Sequence, residues 1–126
     1  MKEPNIVLGY HYIWDVSNCD ADKISYLSSV KALMNDLVST FKLSVLNASY
    51  NQFAPHGVTG VLLLEESHLS IHTWPENGYM AMDLFSCKEI PNITAIKDIL
   101  TKHVGAEIQI DAKNISRGAK AFVEAK

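Results

Sequence analysis

Apolar positions along this chain follow two rhythms. From Ile6 to Val16 the period is two: Val7, Gly9, His11 and Ile13 alternate with Leu8, Tyr10, Tyr12 and Trp14. That period and the aromatic and β-branched content predict a strand, and sizeable side chains on both faces predict cover on both. Asn18-Cys19-Asp20 breaks it, and Asp20 or Asn18 can cap the next element, a helix. From about Ala21 to Phe41 the step becomes three and four, through Ile24, Leu27, Val30, Leu33 or Met34, Leu37 and Phe41. Lys23, Ser28, Lys31, Asn35 and Ser39 take the opposite side, so one amphipathic helix is predicted, with nothing chemical on it.

Leu43 to Phe53 reads as the second strand, ended by Pro55-His56-Gly57. Val58 to Leu64 is almost wholly apolar and is expected to be buried on both faces. His68 to Thr73 sets His68, Ser70, His72 and Trp74 against Leu69, Ile71 and Thr73, and Pro75 stops it. In Tyr79 to Ser86, Met80, Met82 and Leu84 share one face. Asn77-Gly78 between these two strands predicts a hairpin that returns Cys87 to the Ser67 end. Asn92 can cap a second helix with the stripe Ile93, Ile96, Ile99, Leu100 and Val104, and Gly105 stops it. Ala106 to Ala112 is the last strand; the polar tail after Lys113 is given no structure. The order β-α-β-β-β-β-α-β predicts an α+β fold, an antiparallel sheet with two helices on one face. The other sheet face needs cover. A second protomer is expected there, so that two two-layer protomers form an αββα sandwich.

Composition narrows the function. The 126 residues fit one domain with a core small enough for dimerisation to help it. A net charge of -3 gives no electrostatic reason for nucleic acid or an anionic membrane as partner. No apolar run approaches the ~18 residues of a membrane span. Met1-Lys2-Glu3-Pro4-Asn5 lacks the basic and apolar regions of a signal peptide, so a cytoplasmic protein is expected. Cys19 and Cys87 could form one disulfide; in that compartment reduced thiols are expected.

The polar residues that end the buried run call for a chemical explanation. Val61-Leu62-Leu63-Leu64 passes straight into Glu65-Glu66-Ser67-His68, where burial of polar groups is costly without partners or chemistry. A solvated strand end is the plain alternative. His68 and His72 share a strand face but lie ~13 Å apart there, too far for one metal ion, so no metal set is expected. Ser67 lacks the Gly-x-Ser-x-Gly elbow of a serine hydrolase. Cys87 alone, next to Phe85, reads more readily as a buried structural thiol. His11, His56 and His103 fall in no pattern.

Taken together, Glu66-Ser67-His68-Leu69-Ser70-Ile71-His72-Thr73-Trp74-Pro75-Glu76, Gly78-Tyr79, Asp83-Leu84-Phe85 and Cys87 resemble the short prokaryotic S-adenosylmethionine decarboxylases. The similarity extends through Phe53-Ala54-Pro55-His56-Gly57-Val58-Thr59-Gly60 and reappears in Leu8-Gly9-Tyr10-His11 and Cys19-Asp20. The resemblance implies a chain that cuts itself at Glu66–Ser67 into a β chain 1–66 and an α chain 67–126. Ser67 becomes a pyruvoyl group that forms a Schiff base with the substrate. His72 matches the processing histidine, Cys87 the catalytic proton donor, and Thr59 a processing hydroxyl that is usually serine. Phe53 matches an aromatic that stacks on adenine, with Trp74 and Glu76 as further substrate-binding residues, and the site lies between protomers of a homodimer. The implied product, decarboxylated S-adenosylmethionine, is an aminopropyl donor for spermidine synthesis.

Two departures bear on the substrate. Asp15 stands where glutamate is common, and Asn51-Gln52 precedes Phe53 where a histidine is expected. An ornithine or arginine decarboxylase on the same scaffold is therefore the alternative enzyme. An unprocessed, non-catalytic partner subunit is the alternative of another class.

Overall fold

In the computed structural model, which describes residues 4–120, the strands are β1 (Ile6–Ser17), β2 (Val45–Gln52), β3 (Val58–Leu64), β4 (Ser67–Trp74), β5 (Tyr79–Ser86) and β6 (Gln109–Ala119). The helices are α1 (Leu27–Thr40) and α2 (Ile96–Val104). The strands form one sheet in the order β2-β3-β4-β5-β1-β6, every neighbour antiparallel. This is the expected α+β fold. No helix among the described residues is long and apolar enough to cross a membrane.

Alternation decides what faces the helices. Tyr12, Trp14 and Val16 of β1, Leu69 and Ile71 of β4, and Met80, Met82 and Leu84 of β5 are all buried. They meet Val30, Leu33, Met34 and Leu37 of α1 and Ile96, Ile99, Leu100 and Val104 of α2 in one core, which fixes both helices on one sheet face. Each such large side chain contributes roughly 1.5–3 kcal/mol by leaving water.

Among the described residues, no helix lies over the other face. Here Leu63, His68, Phe85 and His11 form one cross-strand row, Val61, Ser70, Asp83 and Ile13 the next, and Thr59, His72, Ala81 and Asp15 a third. Val61 is 41 % exposed and Leu63 53 %. The expected two-sided cover of β1 and β3 is therefore absent within the protomer, because two helices cover only one side.

The start of α1 also differs from expectation. A 3-10 turn spans Ala21–Lys23, and the α-helix begins only at Leu27. The reason lies in the carbonyls between them. Ile24 O accepts from Thr73 Oγ1, and Ser25 O accepts from Gly57 N and Gln52 Nε2, so tertiary partners replace the helical amides. Neither Asp20 nor Asn18 caps α1; Gln52 Oε1 accepts from Leu27 N at 2.7 Å and does so from across the fold. Asn92 likewise caps nothing with its side chain, which donates to Thr40 O, and a 3-10 turn Ile93–Ala95 precedes α2. The β4–β5 hairpin forms, but its link is the 3-10 turn Pro75–Asn77 plus Gly78 at φ 57, rather than Asn-Gly alone.

β6 is longer than the sequence pattern suggests. Its pairing with β1 runs from Ser17↔Gln109 to Ile6↔Ala119, well past Lys113. Residues beyond 120 of that tail lie outside the described residues.

Candidate active site

A tight turn joins β3 to β4. Leu64 pairs with Ser67, leaving only Glu65 and Glu66 to reverse the chain, and Glu65 N donates to Ser44 O at 3.0 Å. β5 runs antiparallel to β4 with His68 opposite Phe85, so Cys87, just past β5, returns to the turn. The Cys87 thiol donates to the Glu66 carbonyl oxygen at 2.8 Å. Glu66, Ser67 and Cys87 thus come together as expected, and both cysteines are free. A cavity of about 380 Å³ lies against them, also lined by Ser86, Lys42 and Lys88. A larger cavity of about 700 Å³ runs along β1 and β6 past His11, Phe85 and Arg117, and it holds neither Ser67 nor Cys87. The chemistry favours the smaller one.

The remaining expected residues gather at the other end of β4. Thr59 and His72 are direct cross-strand partners, with Thr59 Oγ1 and His72 Nδ1 3.2 Å apart. Trp74 lies between His72 and Tyr79, at ring-centroid distances of 6.2 and 5.4 Å. Phe53 sits on the loop before β3, where Gly57 at φ +105 packs close to Phe53, Thr73 and Pro75. A Cβ at Gly57 would meet that packing in a strained backbone region, so the loop needs glycine there. Glu76 Oε1 is 3.9 Å from His56 Nδ1, which has no hydrogen-bond partner among the described residues. Five residues of strand separate Ser67 from His72, ~17 Å, and alternation puts them on opposite faces. The protomer alone therefore does not bring Ser67 and His72 together.

Beside His72, the Tyr79 hydroxyl donates to Asp15. That hydrogen bond, then burial and the Asp15 charge, push the phenol up to about 12. The raised value means the pair stabilises the fold fully below the ordinary tyrosine pKa of ~10 and loses that contribution as pH rises through about 12. Ultraviolet titration is expected to show a tyrosine ionising that late, and Asp15→Asn to bring it down. A late tyrosine that persists in Asp15→Asn would assign the shift to another cause.

One cluster was not anticipated. On the helix-free face Asp83 Oδ2 accepts from His11 Nε2 at 2.6 Å and His68 Nε2 at 3.1 Å, while Ser70 donates to Oδ1. Burial pushes the Asp83 carboxyl up, but the bonds from Ser70, His11 and His68 outweigh it and hold it below the usual carboxylate range. The three ligand-type groups lie within 4.8 Å of one another, a spacing that suits a metal ion. However, Arg117 approaches His11 Nδ1 at 3.4 Å. A guanidinium can only donate, so the His11 proton sits on Nε2 and points at Asp83. That makes the cluster a hydrogen-bonded carboxylate rather than a set of free lone pairs. The sequence signal was the shared face of His68 and Ser70 and the face parity of Asp83.

Comparison with known proteins bears on the family and the fold. Residues 10–118 match the S-adenosylmethionine decarboxylase family. An S-adenosylmethionine decarboxylase proenzyme of Sulfurihydrogenibium sp. (strain YO3AOP1) is 51 % identical over 80 residues, 64 % of this chain and 60 % of that protein. The match thus spans under two thirds of that relative's length. A proenzyme of the same description from Methanococcus aeolicus is 38 % identical over 116 residues, 89 % of this chain and 95 % of that protein. The crystal structure of the adenosylmethionine decarboxylase from Aquifex aeolicus VF5 superposes with a TM-score of 0.80 at 32 % identity, covering 95 % of this chain and 98 % of that one. With its fold, its Glu66–Ser67 turn and these matches, the chain belongs to the S-adenosylmethionine decarboxylase family.

Proposed function

We propose that this chain is a self-processing, pyruvoyl-dependent decarboxylase that converts S-adenosylmethionine to its decarboxylated form, an aminopropyl donor for spermidine. One observation carries the reading: the Cys87 thiol donates to the carbonyl of Glu66, and the next residue is Ser67. The Ser67 oxygen attacks that carbonyl carbon; a C–O bond forms, the peptide C–N bond breaks, and its nitrogen takes the hydroxyl proton. Negative charge develops on the carbonyl oxygen during the attack, where the thiol already points. Loss of the α-proton of residue 67 then expels Glu66 as a carboxylate. Water replaces the nitrogen, which leaves as ammonia, and residue 67 ends as a pyruvoyl group. The products are a β chain 1–66 and an α chain 67–126.

The residues present fit such a group: a hydroxyl at the turn, a carbonyl polarised by a thiol, and a cavity beside both. When bound to the α-amine of a substrate, a pyruvoyl carbonyl supplies an electron sink for the pair released with carbon dioxide. Cys87, no longer tied to Glu66, holds the proton for the substrate carbon, a role typically worth ~10²–10⁴-fold. That role needs a thiol, which suits a reducing cytoplasm.

His72 is suited to take the α-proton, with Thr59 hydrogen-bonded to it, but it lies ~17 Å along β4 from Ser67. We therefore assign His72 and Thr59 to the site of a second copy, two copies stacking their helix-free faces into an αββα homodimer. Exposed Val61 and Leu63 on that face support the stacking. In the same copy Phe53 and Trp74 offer aromatic faces for adenine and the sulfonium cation, and Glu76 an acceptor. Those aromatic faces favour S-adenosylmethionine over ornithine or arginine.

Intact mass of the purified protein, followed by incubation with carboxyl-labelled S-adenosylmethionine, ornithine and arginine in parallel, tests the proposal. Two chains split at Glu66–Ser67 with label released from S-adenosylmethionine are expected. Release from ornithine or arginine alone would replace the substrate. An uncut chain would leave a partner subunit as the better account.

A further inference from the structure

Cleavage at Glu66–Ser67 would create a mechanical problem that the uncut hairpin does not have. The turn Glu65–Glu66 closes β3 onto β4, and once cut β4 becomes a strand with a free end. Strand ends fray when only exposed backbone bonds hold them. Position 67 is itself the reacting position, so its side chain cannot serve as the anchor. The first side chains after the cut that can grip anything on the helix-free face are His68 and Ser70.

Both reach the same carboxylate. His68 Nε2 lies 3.1 Å from Asp83 Oδ2, and Ser70 donates to Asp83 Oδ1. Asp83 is on β5, and from β1 His11 Nε2 reaches its Oδ2 at 2.6 Å. Arg117 of β6 orients His11 in turn at 3.4 Å. The His68 ring also stacks on Phe85, its cross-strand partner, at 6.1 Å and 17°. The grip therefore crosses four strands and uses none of Glu66, Ser67 or Cys87. Bonds to an ionised acceptor are about twice as strong as neutral ones, which suits a holding role.

We propose that His68 and Asp83 form a clamp that keeps the cut end of β4 in register on β5, holding position 67 opposite Ser86 and at the cavity that Cys87 lines. His68 and Asp83 are positioning residues, and the inference rests on the cleavage reading above. In the uncut chain the covalent turn does the same work and the clamp is redundant. After cleavage it is, with the His68–Phe85 stack, the side-chain hold that β4 has within two residues of position 67 on this face among the described residues.

The test compares one substitution in cut and uncut protein. His68→Leu is made in the wild type and in Ser67→Ala, with Asp83→Asn as a second variant and His68→Gln as a rescue that keeps a donor. Hydrogen exchange of the amides of residues 68–70 is read in each, on the cut fraction where cleavage occurs, together with kcat and KM for S-adenosylmethionine. In the cut protein His68→Leu is expected to speed exchange roughly tenfold or more and to lower kcat by a similar factor with KM little changed. In the Ser67→Ala chain exchange is expected to change far less, and His68→Gln to recover part of both losses. Equal effects in cut and uncut chains would show an ordinary structural contact and overturn the clamp, as would an unchanged kcat. A wild-type chain that stays whole overturns the cleavage reading and the clamp together, and intact mass reveals that before any variant is compared.

Discussion

Ser67→Ala is expected to give one uncut chain with no decarboxylase activity. The whole proposed sequence begins with the Ser67 oxygen at the Glu66 carbonyl, and alanine has no atom to make that bond. Nothing else on the turn substitutes for it: Glu65 is an acid, and Cys87 donates its proton to the carbonyl oxygen rather than facing the carbon. The loss should be complete, not graded. Ser67 is half-buried at a strand start, so the change should cost the fold little, within about 0.5 kcal/mol. Intact mass, activity and thermal unfolding separate these effects. A cut Ser67→Ala protein would end the mechanism, and an uncut but unfolded one would recast Ser67 as a structural residue.

Co-expression of Ser67→Ala with His72→Ala is expected to restore a cut that neither variant makes alone. The basis is the ~17 Å of β4 between the two residues and their opposite faces. If each site takes its serine from one copy and its histidine from the other, a mixed dimer contains one complete site. The His72→Ala chain keeps its serine and should be cut; the Ser67→Ala chain should remain whole. With random pairing, about half of the His72→Ala chains should be cleaved. Mass spectrometry of the co-purified protein resolves which chain is cut. A wholly uncut mixture would return His72 to its own chain or remove it from processing. Cleavage of His72→Ala alone would do the latter.

Much of this was legible in the residues, for reasons that differ by element. Met80, Met82 and Leu84 announce β5 because one face is buried and the other is not. β6 hides past Lys113 because it is an edge strand, held by backbone bonds to β1 while most of its side chains stay exposed. Helical spacing ran through Ile24 correctly as burial but wrongly as helix, since distant partners take the carbonyls of Ile24 and Ser25. At the site, the hairpin brought Cys87 to Ser67 as its turn signal implied. Nearness in sequence hid the separation of Ser67 from His72, which only extended geometry reveals. Asp83 was missed because parity gives a face but does not say that three side chains converge on one carboxylate.

If the chain is cut at Glu66–Ser67 as proposed, the sheet order has a consequence for the life of the two pieces. Residues 1–66 supply β2, β3 and β1, and residues 67–126 supply β4, β5 and β6. In the order β2-β3-β4-β5-β1-β6 the two pieces interleave, with β1 of one piece gripped between β5 and β6 of the other. Neither fragment owns a contiguous sheet, so they cannot part by simple dissociation; separation means unfolding. The uncut chain folds as one molecule at a rate independent of concentration. A cut one, once unfolded, would have to find its other half by collision, so the proposed cut would exchange reversible folding for a structure assembled once.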